Sequence, residues 1–279
     1  MEKTFNLISL GCPKNLVDSE VVYGLLEKDG WHGYPEPDSA AFIIVNTCGF
    51  IQSAVEESLE EILELAELKK EHPHKKLVVI GCLVQRYRHD LQGELPEVDL
   101  FVGTEGIPHI PELLNDLGSD KPVEKTVIPE LFLMNSDYPR RLSTPPYRAW
   151  LKVTEGCDNR CSYCMIPAIR GRLRSRQTAD LLTEAKMLDK KGIKEVTFVA
   201  QDLTAFGVDH DGNRHLVRLL ETLLAETSIP WFRLMYLYPS GITDELIGLV
   251  ANNSRIVPYM DIPLQHVSDR ILKAMNRRY

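Results

Sequence analysis

Long apolar runs are missing from this chain of 279 residues. Nowhere do 18 apolar residues follow one another, which excludes a membrane-spanning helix. The opening Met1-Glu2-Lys3-Thr4-Phe5 has no apolar signal-peptide core and leads straight into a strand-like segment, so a cytoplasmic protein is expected. Compositional extremes are missing as well. With 44% hydrophobic and 26% charged residues, neither disorder, collagen nor coiled coil can account for the whole chain. Histidine is sparse and scattered: none lies between His109 and His210, and none is assigned to a metal. Cysteine is limited to six residues, and in a reducing compartment these are not expected to be disulfides.

The length suits one large domain or two ordinary ones, with ample material for a core. Charge divides the chain. Residues 1–140 hold 12 basic and 25 acidic side chains, whereas residues 141–279 hold 20 and 15. Such a shift points to two units with different tasks, although charge alone names no partner.

The first half reads as repeated strand–helix units. Phe5–Leu10 is strand-like, and Val17, Val21, Leu25 and Leu26 follow at helical spacing. Residues 41–45 and 77–80 are continuous apolar runs, as in strands buried on both faces. Between them Ile51, Val55, Leu59, Ile62, Leu65 and Ala66 share a helix face. A short strand at 100–102 and a helix around 111–117 complete a mostly parallel α/β pattern. Cys12, Cys48 and Cys82 follow the first three strands, 36 and 34 residues apart, about one βα unit each. Residues at one phase of successive units share the carboxyl edge of the sheet, where open α/β sheets bind ligands. Each also neighbours a glycine: Gly11, Gly49 and Gly81. A single strand-end cysteine is most simply a small buried hydrophobe. Three in phase point to a metal or cluster site.

Residues 136–146, which carry Ser136, Asp137, Pro139, Thr144, Pro145 and Pro146, have linker chemistry and separate an expected N-terminal domain, 1–135, from a second, 147–279. Strands are expected at 147–153, 196–200, 232–237 and 259–262. Helices are expected from Thr178 as N-cap, over 216–224 and 244–250, and from Ser268. Four βα units do not close an eight-stranded barrel, so an incomplete barrel and a fragment of a longer protein are expected. At the end of its first strand stands Cys157-x3-Cys161-x2-Cys164. Three thiolates within eight residues can ligate three corners of an iron–sulfur cube and leave one iron open for a substrate or cofactor. A zinc site remains an alternative, but zinc normally takes four ligands and no local histidine supplies a fourth.

Cys157-x3-Cys161-Ser162-Tyr163-Cys164 resembles the radical S-adenosylmethionine (SAM) signature. Together with the three N-terminal cysteines and the stretch from Cys161 through Pro167, Arg170, Gly171, Arg172, Arg174 and Arg176, the chain resembles the methylthiotransferase family of that superfamily over essentially its whole length. Ser9-Leu10-Gly11-Cys12-Pro13-Lys14-Asn15-Leu16-Val17-Asp18-Ser19-Glu20 and Asp261-Ile262-Pro263-Leu264-Gln265-His266 resemble the RimO type. The resemblance implies an α/β fold in which an N-terminal open parallel-sheet domain precedes an incomplete (βα) radical-SAM barrel. It implies two [4Fe–4S] clusters, one on Cys12, Cys48 and Cys82 and one on Cys157, Cys161 and Cys164, and two SAM molecules, one as methyl donor and one as radical source. The implied substrate is an aspartate of small-subunit ribosomal protein twelve, whose β-carbon loses hydrogen and gains a methylthio group. A reductant such as flavodoxin or ferredoxin is implied, with no membrane partner; direct nucleic-acid binding is left open. Full-length relatives continue into further barrel strands and a TRAM domain absent here, so weak or absent turnover is expected of this chain.

Tyr163, Gln201, Asp202 and Arg170 are candidate SAM contacts. For Tyr163 the plain alternative is burial beside the cluster; for Gln201 and Asp202 it is a turn or helix cap. Arg170, Arg172, Arg174 and Arg176 alternate and could meet a carboxylate or an acidic or RNA-rich surface, or form a solvated edge strand with ion pairs. Two further readings stay open: a transfer-RNA methylthiotransferase of the same family, and a non-catalytic iron–sulfur or zinc protein that would not cleave SAM.

Overall fold

The computed structural model describes residues 2–119, 121–129, 132–277 and 279. The chain divides into two units, residues 1–132 with 138–141, and 133–137 with 142–279. The segment expected as a linker is thus shared between them. Ser136 N–H donates to Asp180 Oδ1 at 2.6 Å in the second unit. Arg140 Nε donates to the buried carboxylate of Glu20 at 2.7 Å in the first.

The N-terminal unit contains strands β1 (Thr4–Ser9), β2 (His32–Gly33), β3 (Phe42–Thr47), β4 (Lys76–Gly81), β5 (Leu100–Val102) and β6 (Thr126–Val127). Its helices are α1 (Pro13–Lys28), α2 (Gln52–Glu71), α3 (Cys82–Tyr87), α4 (Asp90–Glu94) and α5 (Ile110–Gly118). All six strands are parallel, in the order β2-β1-β3-β4-β5-β6. Every residue of β3 is buried because both faces are covered. Ile43 and Val45 pack with Val55, Ile62 and Leu65 of α2. Phe42 points the other way and meets Trp31 edge-on at 4.9 Å. The chain leaves β1 for β2 on one side and returns to β3 on the other. The order therefore reverses between β1 and β3, and such reversals open a crevice at the strand carboxyl ends.

The C-terminal unit has β7 (Arg148–Lys152), β8 (Thr154–Glu155), β9 (Arg174–Ser175), β10 (Glu195–Val199), β11 (Trp231–Leu234) and β12 (Ile256–Met260). Its helices are α6 (Ile166–Arg170), α7 (Thr178–Lys190), α8 (Val208–Asp211), α9 (Leu216–Glu226), α10 (Asp244–Asn252) and α11 (Asp269–Ala274). Among the described residues four parallel strands, β12-β11-β10-β7, make an open arc, while β8 and β9 form a separate antiparallel pair. One face of the arc packs Leu151, Phe198 and Phe232 against Leu181, Leu220 and Leu246 of α7, α9 and α10. Alternation then turns Lys152, Thr197 and Arg233 to the opposite, inner face.

Three boundaries depart from the sequence reading. Gln177, not Thr178, is the extended residue before α7. β11 stops at Leu234 because Tyr236 adopts φ +62°, outside the strand region. β12 starts at Ile256 rather than 259; it is an edge strand, where Pro258 is tolerated. The two-residue strands, the short helices α3, α4, α6 and α8, and the β8–β9 pair were not anticipated.

Candidate cluster sites

In the N-terminal unit the three cysteines stand at the carboxyl ends of β1, β3 and β4, which are neighbours in the sheet. Cys12 precedes Pro13 at the start of α1, a position where the missing proline N–H costs nothing. Cys48 follows directly on β3, and Cys82 opens α3. Cys48 and Cys82 are buried, Cys12 is half-buried, and none of the chain's six cysteines is in a disulfide.

Glycines let the three turns nest. Gly11 has φ +86°, and a Cβ there would stand 2.7 Å from Cys48 Cβ and 3.1 Å from its Sγ. A Cβ on Gly49 would stand 2.7 Å from the carbonyl oxygen of Cys82. The backbone beside Cys12 thus lies against Cys48, and that beside Cys48 against Cys82, an approach that side chains would prevent. Beneath the turns runs a buried polar network that sequence reasoning missed. Asn15 Nδ2 donates to Leu10 O at 2.9 Å and to Thr47 O at 3.1 Å. Asn46 Nδ2 donates to Asn15 O at 2.9 Å and to Ser19 Oγ at 2.8 Å. Cys82 Sγ lies 3.9 Å from Asn15 Oδ1, and Ser58 Oγ accepts Cys48 N–H at 3.1 Å. The available signal was polar: Asn46-Thr47 interrupts an apolar strand just before Cys48. Buried amides of this kind must be satisfied, and here they tie three strand ends together.

In the C-terminal unit all three cysteines occupy one loop, 156–165, after β8. Gly156, at φ +65°, lies against the backbone of Arg172, where a Cβ would collide with its carbonyl. Cys157 N–H donates to Gly171 O at 3.2 Å, Asn159 N–H to Cys157 Sγ at 3.4 Å, and Cys164 N–H to Cys161 O at 3.0 Å. Burial pushes the Cys157 thiol up to about 11, against the opposing Asn159 N–H. Asp202 holds the loop from β10's end: its Oδ2 accepts from Asn159 Nδ2 at 2.6 Å, and its Oδ1 from Thr204 Oγ1 at 2.6 Å. Gln201 beside it is half-buried. Tyr163 is exposed as a whole, yet burial of its hydroxyl end near Cys161 pushes it up to about 12.

The alternating arginines do not share a role. Arg170 is buried with Nη1 3.5 Å from Glu155, a carboxylate also paired with Lys152. Burial alone would raise Glu155, but Lys152 and Arg170 outweigh it and hold the group down at about 2. Arg172 is exposed and pairs with Asp158 at 3.1 Å. Arg174 pairs through β9 with Glu155 of β8. Arg176 is 1% exposed and bridges Asp180 at 2.7 Å, Glu184 at 2.6 Å and Lys152 O at 2.8 Å. Among the described residues no three His, Cys, Asp or Glu side chains are set to hold a single metal ion, and no helix is long and apolar enough to cross a membrane.

Residues 4–103 match the family described as Uncharacterized protein family UPF0004, and residues 151–279 match the Radical SAM superfamily. The chain is 58% identical over 275 residues to the ribosomal protein uS12 methylthiotransferase RimO of Desulfotalea psychrophila, covering 99% of this chain and 62% of that protein. The protein of the same name from Syntrophus aciditrophicus is 49% identical over 280 residues, again with 99% and 62% covered. Over nearly its whole length the chain is similar to radical SAM methylthiotransferases of the RimO type. It spans about 62% of the length of these curated relatives. Among solved structures, the radical SAM methyltransferase TsrM of Kitasatospora setae, with tryptophan substrate and a SAM analog, superposes with a TM-score of 0.69 at 16% identity. That match covers 100% of this chain and 63% of the other. At that identity the likeness speaks for the fold, an open parallel-sheet domain followed by an incomplete (βα) barrel.

Proposed function

We propose that this chain holds the two-cluster machinery of a methylthiotransferase whose substrate is an aspartate of ribosomal protein uS12. The observation that carries it is the pairing of two cysteine triads on unrelated scaffolds. One is gathered from three strand ends by nested glycine turns, the other is held in a single loop. Cys12, Cys48 and Cys82 would hold one [4Fe–4S] cluster, and Cys157, Cys161 and Cys164 the other. Three protein ligands per cubane leave one iron of each open. The donor sets fit: each is all-thiol, free of disulfides, and backed by buried hydrogen bonds that fix the ligand turns. The bound clusters would supply one-electron reduction of SAM at the second site and a sulfur attachment point at the first.

The chain's own residues do the positioning. Asp202 fixes Asn159, whose N–H points at Cys157 Sγ. Glu155, kept charged by Lys152 and Arg170, anchors the strand that enters the loop. Tyr163, Gln201 and Arg170 remain the proposed SAM-side residues with Asp202, though Arg170 and Asp202 reach SAM only while keeping or exchanging the partners described above. The uS12 substrate is favoured by identities of 58% and 49% to proteins of that name. A cytoplasmic location and a flavodoxin- or ferredoxin-type reductant belong to the same reading.

Iron and sulfide counts on the anaerobically reconstituted chain test it. Two cubanes require about eight irons and eight sulfides, with about four of each left when Cys157, Cys161 and Cys164 are changed to Ala. About four irons in the parent and none in that variant would remove the N-terminal triad from the reading. Zinc without sulfide would overturn the reading as a whole.

A further inference from the structure

The turn that ends α11 lies on the cysteine loop although 112–116 residues separate them. Ser162 N–H donates to Met275 O at 3.0 Å, Ser162 Oγ lies 3.2 Å from Ala274 O, and Asn276 Nδ2 donates to Arg160 O at 2.5 Å. Asn276 is at φ +53°, a left-handed conformation that turns the chain back toward the loop. The next residue, Arg277, has its guanidinium against a cluster ligand: Nη1 is 3.6 Å from Cys161 Sγ, within reach for the large sulfur atom. The guanidinium is locked from its other sides. Nη2 donates to Pro263 O at 2.7 Å, Nε to Tyr279 Oη at 3.3 Å, and the group stacks 4.3 Å from the Tyr238 ring and 5.0 Å from that of Tyr279. Those two rings meet edge-on at 5.4 Å, closing an aromatic clamp around the cation.

We propose that Arg277 is a positioning residue that sets the reduction potential of the C-terminal cluster by donating a charge-assisted hydrogen bond to Cys161 Sγ. The inference rests on the cluster reading given above. Reduction adds one negative charge to a centre already carrying three thiolates. A fixed cation donating to one ligand sulfur stabilises the reduced state more than the oxidised one and raises the potential. The clamp matters because the guanidinium cannot swing into water when the charge changes, so the preference is built in rather than induced.

The test is an anaerobic redox titration of the remaining EPR signal in a chain whose Cys12, Cys48 and Cys82 are Ala, so that one cluster is observed. Arg277→Met should lower the reduced-to-oxidised ratio at fixed poise about tenfold, which is about 59 mV for a one-electron couple. Arg277→Lys should recover most of that shift. Lys273→Met, which removes a charge from an exposed position of α11, the helix just before Arg277, should leave the ratio unmoved. Equal potentials in the parent and Arg277→Met overturn the proposal, as does a shift of the same size in Lys273→Met. Loss of the cluster in both Arg277→Met and Arg277→Lys would make the residue structural and also overturn it. A changed SAM affinity at unchanged potential would assign Arg277 to SAM instead. If the background with Arg277 intact assembles no cluster, the cluster reading fails and takes this inference with it.

Discussion

The two units present three cysteines each, yet they assemble them by opposite means. In the N-terminal unit the cysteines are 36 and 34 residues apart, and only the finished sheet brings them to one edge. In the C-terminal unit they fall within eight residues of one loop, and the fold's task is to hold that loop from outside, through Gly171, Asp202 and Met275. A distributed triad is therefore a property of tertiary structure, and a local one a property of sequence steadied by its neighbours. Damage to packing should abolish the first kind of site. The second should respond mainly to changes in its supports.

The sharpest test of this contrast is Gly11→Val. It adds both left-handed strain and a collision with Cys48, so it should cost the N-terminal unit its full complement of about four irons while the C-terminal complement stays. Gly30→Ala is the matching control. Its φ is +81° but nothing lies within 4 Å of the new Cβ, so it should cost only about 1–2 kcal/mol of strain and keep the iron. Iron lost equally in both variants would mean that strain alone, not nesting, governs the site.

Arg176→Met probes the support of the C-terminal unit. It strips a fully buried cation from Asp180 and Glu184 and should destabilise that unit by about 3–5 kcal/mol in urea unfolding. The pH dependence follows in sign. Burial would raise Asp180, but Arg176 and the Ser136 N–H outweigh it and hold the carboxyl below its ordinary 3.8. The stability this confers is fully present above 3.8 and is lost as pH falls toward the lower folded value. Thermal melts of the parent should therefore drop more steeply below pH 4 than those of Arg176→Met; parallel curves would show that Asp180 owes its low value to something else. The smallest effect belongs to Arg172→Ala. It removes an exposed ion pair with Asp158 and should leave the melting midpoint where it was.

Much of the fold was legible from residues alone. The continuous apolar runs at 41–45 and 77–80 pointed to strands covered on both faces, and the spacing of α2 pointed to a helix. Placing the first triad needed nothing beyond counting strands. What escaped depended on partners distant in sequence. The arginine row looked uniform because alternation suggests one edge strand. Arg176 nonetheless turns inward to Asp180 and Glu184, Arg170 meets Glu155, and Arg172 faces water. No spacing rule could reveal that Asn276 reaches back to Arg160, or that Asn15 would tie together the ends of two strands. Two-residue strands such as β2 and β6 carry too few side chains to leave any period at all.

The nesting of strand ends bears on how relatives of this chain are to be sought. The intervals between Cys12, Cys48 and Cys82 are the lengths of βα crossovers, and crossovers can grow. The connection between α2 and β4 passes through exposed His72, Pro73 and His74, where extra residues would lengthen the interval without moving either cysteine. The interval within 157–164 has no such freedom, since the residues there lie between cysteines of one loop. A search by fixed spacing will therefore find the second triad faithfully and overlook the first wherever a crossover has been extended. For the N-terminal site the reliable query is a glycine-flanked cysteine at the end of each of three adjacent parallel strands.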